Sequence, residues 1–260
     1  MLIMIKVFSH MSPDTDATGC AILWSWYMNT HGGVESRPYV LGALNKETSF
    51  VLNRWGFSEP ELLASIDASD DVVVVDTNNP QELFPNILDA NILKIIDHHK
   101  LFGGLETKGP IEVTLRPLAS TASVIHDLIG DVANSLPNNI AGIMLSCILS
   151  DTLAFRSPTT TAHDKYIAEK LAKQLDVDIQ SYANEMFKAK SDVSDFTDIG
   201  LLHLDSKKFD VGDKQVRISV IETTDTAPIL ERKAGLVSAI GEILSQEPDT
   251  DDVLLFIIDI

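Results

Sequence analysis

Residues 9–16, SHMSPDTD, put one imidazole (His10) and two carboxylates (Asp14, Asp16) within seven positions, directly after the apolar run LIMIKVF. Three other stretches carry the same chemistry: VVVVDTNN with Asp76, LKIIDHHK with Asp97, His98 and His99, and the apolar LSCILSDTLAF with Asp151 inside it. Each has an ordinary reading. Asp16 can cap the helix that starts there, with Asp14 in the preceding turn. Asp76 can close a strand in a turn, and His98 and His99 can be one core and one exposed histidine. Asp151 can bond a nearby helix N-terminus. Their convergence argues otherwise. Carboxylates crowded on one sheet edge repel one another unless a cation neutralises them, and a carboxylate in a largely buried helix is costly unless paired or metal-bound.

Two imidazoles (His10, His98) and four carboxylates (Asp14, Asp16, Asp76, Asp151) are too many for one ion. They suit two divalent ions sharing a bridging carboxylate. Paired ions about 3.5–4 Å apart serve hydrolysis of phosphate esters and anhydrides. Mixed nitrogen and oxygen donors favour Mn²⁺, Co²⁺, Fe²⁺ or Zn²⁺ over Mg²⁺, which prefers oxygen.

The elements that must position these groups alternate. Strand-like runs are LIMIKVF, RPYVLGA, VVVVD (72–76) and LKIID (93–97), with IEVTL (111–115) a weaker fifth; helical spacing fills 16–30, 46–55, 59–68 and 79–88. That alternation predicts an α/β fold, a parallel sheet with helices on both faces. Ligands of such sheets bind beyond the carboxyl ends of the strands, and three of the five strands deliver acid or imidazole there. From about 118 to 190 the pattern is helical, in STASVIHDLIGD, NNIAGIMLSCILSDTLAF and TAHDKYIAEKLAKQL. The expected organisation is a first domain over 1–190, a polar linker at 191–195 within KAKSDVSD, and a smaller, incomplete α+β domain over 196–260. The latter opens with a hairpin, KKFDV and KQVRISVIET around Gly212-Asp213, followed by a helix at 226–246 and an interior-type strand, VLLFIIDI.

Bulk composition narrows the function. Twenty basic against 38 acidic residues give a net charge of −18, which disfavours a nucleic-acid-binding face. No apolar stretch reaches the roughly 18 residues of a membrane span, and Lys6 interrupts the N-terminal run, which argues against a signal peptide. Cys20 and Cys147 read as buried free thiols of a reducing, cytoplasmic protein.

SHMSPDTD, VVVVDTNN, IIDHHK and LSCILSDTLAFRSPT, in this order, resemble the DHH phosphoesterases, and most closely the manganese-dependent (family II) inorganic pyrophosphatases. The resemblance runs over essentially the whole chain. It implies a DHH domain followed by a lid domain, with two Mn²⁺ (Co²⁺ as a substitute) and additional Mg²⁺ arriving with the substrate. One Mn²⁺ would be held by His10, Asp14 and Asp76, the other by Asp16, Asp76, His98 and Asp151. His99 would contact substrate or move a proton, Asp97 would orient a ligating imidazole, and Lys207 in LDSKKF would reach a phosphate oxygen. The substrate would be pyrophosphate, attacked in line by a metal-activated water, and the chain a homodimer through its first domain, with VTLRP as a candidate edge. Two departures stand out. Thr77 occupies a position where related enzymes carry histidine, and the family's basic SRKKQ segment is absent; Arg232-Lys233 reads as solvated surface instead. A chain lacking that segment is expected to bind metal and turn over weakly. Other DHH phosphoesterases, acting on oligonucleotides, cyclic dinucleotides or polyphosphate, usually carry a GGGH-like loop that does not occur here. A metal-loaded but inactive binding module is the non-enzyme alternative.

Overall fold

The computed structural model describes residues 4–204, 206–223 and 225–259. Leu2 and Ile3 of the first apolar run, Asp205 of LDSKKF and Ile260 of the last run lie outside the described residues. The chain divides into two compact units, Met1–Met186 and Phe187–Ile260.

The first unit is built on a six-stranded sheet: β1 (Ile5–Phe8), β2 (Ser36–Val40), β3 (Glu61–Leu62), β4 (Asp71–Val75), β5 (Asn91–Asp97) and β6 (Glu112–Leu115). The spatial order is β3-β2-β1-β4-β5-β6 and every pairing is parallel. The β-branched residues of β4 explain its central place. Val72 to Val75 are all buried, as a strand covered on both faces requires. The chain adds β2 and β3 on one side of β1 and then returns to lay β4 on the other. This leaves a topological switch point between β1 and β4, where the loops leaving the two strands diverge and a crevice opens.

The helices are α1 (Thr15–Thr30), α2 (Lys46–Arg54), α3 (Thr121–Leu128), α4 (Asn138–Asp151), α5 (Ala162–Leu175) and α6 (Ile179–Lys190). Helix α4 is buried on all sides from Ile140 to Ser150. It crosses α1 where Gly19 has no side chain: a Cβ there would lie 2.2 Å from Cys147 Sγ. The crossing therefore brings the first turn of α1, with Asp16, against the last turn of α4, with Asp151.

On the sheet's other face, Phe8, Val72, Val74 and Ile92 pack against Leu63, Ile66, Leu83 and Ile87. Two expected helices differ there. Over 79–88 only two 3₁₀ turns form, Pro80–Glu82 and Ile87–Asp89, because Pro85 cannot supply an N–H inside a helix. Over 59–68 no helix forms. Residues 61–62 extend the sheet as β3, and Leu63 N donates to Val40 O at 2.9 Å, so strand pairing overrides local helical spacing.

The second unit contains α7 (Asp198–Leu204), β7 (Ser206–Val211), β8 (Lys214–Thr223), α8 (Ala227–Glu231), α9 (Lys233–Gln246) and β9 (Asp252–Asp259). Strands β7 and β8 form the antiparallel hairpin, turning at Gly212 with φ 68°, and β9 pairs parallel to β8. Leu201, Leu202, Ile221, Leu236, Ile243 and Val253 form its core. Three expectations change here. Strand β9 lies at the sheet edge among the described residues. The helix at 226–246 breaks at Arg232 into α8 and α9. Arg232 is not solvated surface, since its guanidinium pairs with Asp198 at 2.6 Å and donates to the carbonyls of Val193 and Phe196.

Candidate metal centre

Six of the candidate side chains meet at the switch point. His10, Asp14 and Asp16 leave the end of β1, Asp76 follows β4, His98 follows β5, and Asp151 ends α4. Ligand atoms of His10, Asp14 and Asp76 all lie within 4.8 Å of one another, and so do those of Asp16, His98 and Asp151. Asp76 joins the two clusters: one carboxylate oxygen is 3.7 Å from His10 Nε2 and the other 3.5 Å from His98 Nε2. His98 Nε2 is also 3.9 Å from Asp151.

Local structure explains how each group is held. Asp76 adopts a left-handed backbone, φ 57°, a conformation that aspartate tolerates better than most residues but that still costs about 1–3 kcal/mol. Its N–H donates to Ile96 O at 2.8 Å, which carries the β4–β5 ladder past the last strand residue. Asp14, rather than Asp16, caps α1, accepting from Ala17 N at 2.9 Å. Asp16 is thereby free for a different partner, the N-terminus of α3. Ser120 Oγ donates to it at 2.7 Å, Thr121 N at 2.7 Å and Ala122 N at 3.2 Å. Thr121 Oγ1 also donates to Asp76 at 2.9 Å. Ser120, Thr121 and Ala122 escape notice in the sequence, since backbone donors of a helix N-terminus leave no mark in residue type beyond the capping serine.

The two histidines of DHH are held differently. His98 Nδ1 donates to Leu118 O at 3.0 Å, which turns Nε2 toward Asp76 and Asp151. Asp97 is fully buried and accepts from the backbone N–H of His98 and His99 and from His99 Nδ1 at 2.9 Å. The imidazole that Asp97 orients is thus that of His99; the one beside Asp76 and Asp151 is oriented by a carbonyl. Asn78 braces the same loop, donating to Asp97 and to Lys100 O and accepting from Phe102 N. His99 faces a cleft of about 740 Å³ that it shares with His10, Asp14, Asn78 and Lys100. Thr77 is buried and donates to Glu82 at 2.6 Å, so its hydroxyl is turned to that loop. Lys207 lies on β7 of the second unit, exposed.

The electrostatics fit a cation. Burial, then the negative charges of Asp16 and Asp14, push Asp76 well above the ordinary carboxylate range. Burial, then Asp16 and Asp76, do the same to Asp151. For Asp16 burial acts upward, but the His98 charge and the bonds from Ser120 and Thr121 outweigh it and hold the carboxyl low. The hydrogen bond to Asp97 raises His99. Carboxylates this close cannot all ionise alone, whereas divalent cations would relieve their repulsion. The oxygen and imidazole donors are those of borderline divalent metals. Burial also raises both thiols behind the cluster, Cys147 to about 11, so they behave as core residues.

A switch-point sheet with two adjoining His/Asp clusters, followed by a small mixed domain, fits the resemblance to the DHH proteins. Residues 4–148 match the DHH family, N-terminal domain, and residues 184–260 match the DHHA2 domain. The chain is 35% identical over 253 residues to the "Probable manganese-dependent inorganic pyrophosphatase" of Streptococcus mutans, covering 96% of this chain and 81% of that one. It is 36% identical over 239 residues to the protein of the same name from Staphylococcus carnosus, covering 92% and 77%. Its fold matches the crystal structure of a Methanococcus jannaschii "putative family II inorganic pyrophosphatase" with a TM-score of 0.72 and 35% identity, covering 98% of this chain and 84% of that one. An exopolyphosphatase-related protein from Bacteroides fragilis, 15% identical, shares the fold alone, with a TM-score of 0.58 and coverage of 98% and 76%. The chain belongs to the manganese-dependent (family II) inorganic pyrophosphatases.

Proposed function

We propose that this protein hydrolyses inorganic pyrophosphate to two phosphates at a pair of divalent cations, Mn²⁺ foremost, with Co²⁺ as a substitute and Mg²⁺ accompanying the substrate. One observation carries the reading: Asp76, at the switch point of the sheet, belongs to one His/Asp cluster and stands 3.5 Å from His98 Nε2 of the other. The manganese-dependent names of the relatives support the metal.

His10, Asp14 and Asp76 would hold one cation, and Asp16, Asp76, His98 and Asp151 the other. When bound, the cations supply Lewis acidity, making a water acidic enough to attack at neutral pH and offsetting phosphate charge. The chain does the rest. The bond from His98 Nδ1 to Leu118 O fixes the tautomer, leaving Nε2 as the donor atom. The hydrogen bond to Asp97 favours the charged form of His99; in that form its free nitrogen would donate to a phosphate oxygen and assist departure of the leaving phosphate. Lys207 would add an ammonium from the second unit, a role supported by its place in the family's motif. A small, highly charged anion also suits a protein whose net charge of −18 disfavours a broad basic face for nucleic acid. Outer strand β6, with Val113 half exposed, would be the edge through which two copies pair.

The test is phosphate or nucleotide release from the Mn²⁺-loaded protein given pyrophosphate, a dinucleotide and polyphosphate. Pyrophosphate is expected to be the preferred substrate. Cleavage of the dinucleotide with pyrophosphate inert would overturn the proposal and favour another DHH phosphoesterase activity.

A further inference from the structure

Glu47 is 1% exposed, in the first turn of α2, and no part of the proposed chemistry uses it. One of its carboxyl oxygens, Oε1, accepts from Thr15 Oγ1 at 2.6 Å and from Ser150 Oγ at 2.5 Å. Thr15 stands between Asp14 and Asp16 in the chain, and Ser150 directly precedes Asp151. Thr15 is held further by Thr48 Oγ1 at 3.2 Å, and its carbonyl accepts from Cys147 Sγ at 3.3 Å. A buried acid is a costly way to join three helices that already share apolar contacts. The α2 N-terminus lowers that cost by favouring negative charge.

We propose that Glu47 is a positioning residue for the metal centre. It ties the start of α1 to the end of α4 through one oxygen atom and so sets the separation of Asp16 from Asp151. The inference rests on the metal-centre reading above and adds to it the residue that spaces its two walls. An acceptor that receives two hydroxyls at short range is stiffer than an apolar contact, because a shift of either helix lengthens a hydrogen bond. The spacing of the second cation's ligands then depends on Glu47.

Mn²⁺ binding isotherms, followed by the electron paramagnetic resonance of free Mn²⁺, test this on wild type, Glu47→Gln, Glu47→Met and Ser150→Ala, with thermal melts of each apoprotein. Glu47→Gln keeps the Oε1 acceptor and is expected to bind both ions much as wild type does. Glu47→Met is expected to weaken the second Mn²⁺ by about 10–100-fold, the usual cost of removing a group that orients metal ligands. Ser150→Ala, which leaves the helix intact, should weaken the same ion in the same direction even if Glu47→Met fails to fold. A merely structural tie would lower the melting temperature and leave both isotherms unchanged in Ser150→Ala and any folded Glu47→Met, and that result overturns the proposal. Equal losses in Glu47→Gln and Glu47→Met would also overturn it. Wild type that takes up no Mn²⁺ would instead sink the metal-centre reading itself, and this inference with it.

Discussion

Asp76 concentrates the chemistry of the site in one residue. It sits in a left-handed backbone at the end of β4, accepts from Thr121 Oγ1, and faces His10 with one oxygen and His98 with the other. Its carboxyl and that of Asp151 are raised by burial and by neighbouring negative charge. The sign of the metal linkage follows. A cation must displace protons that these groups otherwise hold above the ordinary carboxylate range, so metal uptake releases protons and affinity rises with pH. Calorimetric Mn²⁺ titrations at pH 6 and pH 8, each in buffers of different ionisation enthalpy, should show proton release and tighter binding at the higher pH; pH-independent affinity without proton release would contradict it. At this scale the sequence was informative about residue type. His10, Asp14, Asp16, Asp76, His98 and Asp151 are legible because polar groups ending apolar runs have few other reasons to cluster. Ser120 and Thr121, which hold Asp16 and Asp76, and Asn78, which holds Asp97, are not legible: a hydroxyl or an amide looks the same whether it faces water or a buried carboxylate.

At the scale of elements, the site depends on how closely α1 and α4 cross. Gly19 permits the approach, as an added Cβ would lie 2.2 Å from Cys147 Sγ and 3.1 Å from Ile143 Cγ2. Gly19→Ala is therefore expected to cost about 1–3 kcal/mol by overpacking, which for a chain of this size lowers the melting temperature by about 2–4 °C per kcal/mol. Gly241, in the middle of α9, has open space around its Cβ position, and Gly241→Ala should stabilise by about 0.4–1 kcal/mol. Melts of the two variants check the pair; an unchanged Gly19→Ala would remove the close crossing from the account. The strands other than β3 were readable from β-branched and alternating runs, and α1, α3, α4 and α5 from their spacing. The misreadings at 59–68 and 79–88 have physical causes. Pro85 interrupts one pattern, and the other is captured by β2, a partner distant in sequence that no local pattern announces.

For the whole molecule, the order β3-β2-β1-β4-β5-β6 is what turns scattered motifs into a site. It places the loops after β1 and β4 on either side of one crevice and lets α3 and α4 close it with Asp16's partners and Asp151. That order was inferable only in outline, as a parallel sheet with its chemistry at the carboxyl ends; the position of the switch point emerges from packing. The net charge of −18 disfavours a broad basic surface, so recognition of a small anion by the proposed cations suits it. The claim on which everything else depends is that Asp76 bridges two metal ions. Electron paramagnetic resonance of the Mn²⁺-saturated protein tests it directly. Two Mn²⁺ per chain with an exchange-coupled spectrum, lost in Asp76→Asn, are expected; one Mn²⁺ per chain with the six-line spectrum of an isolated ion would rule the bridge out.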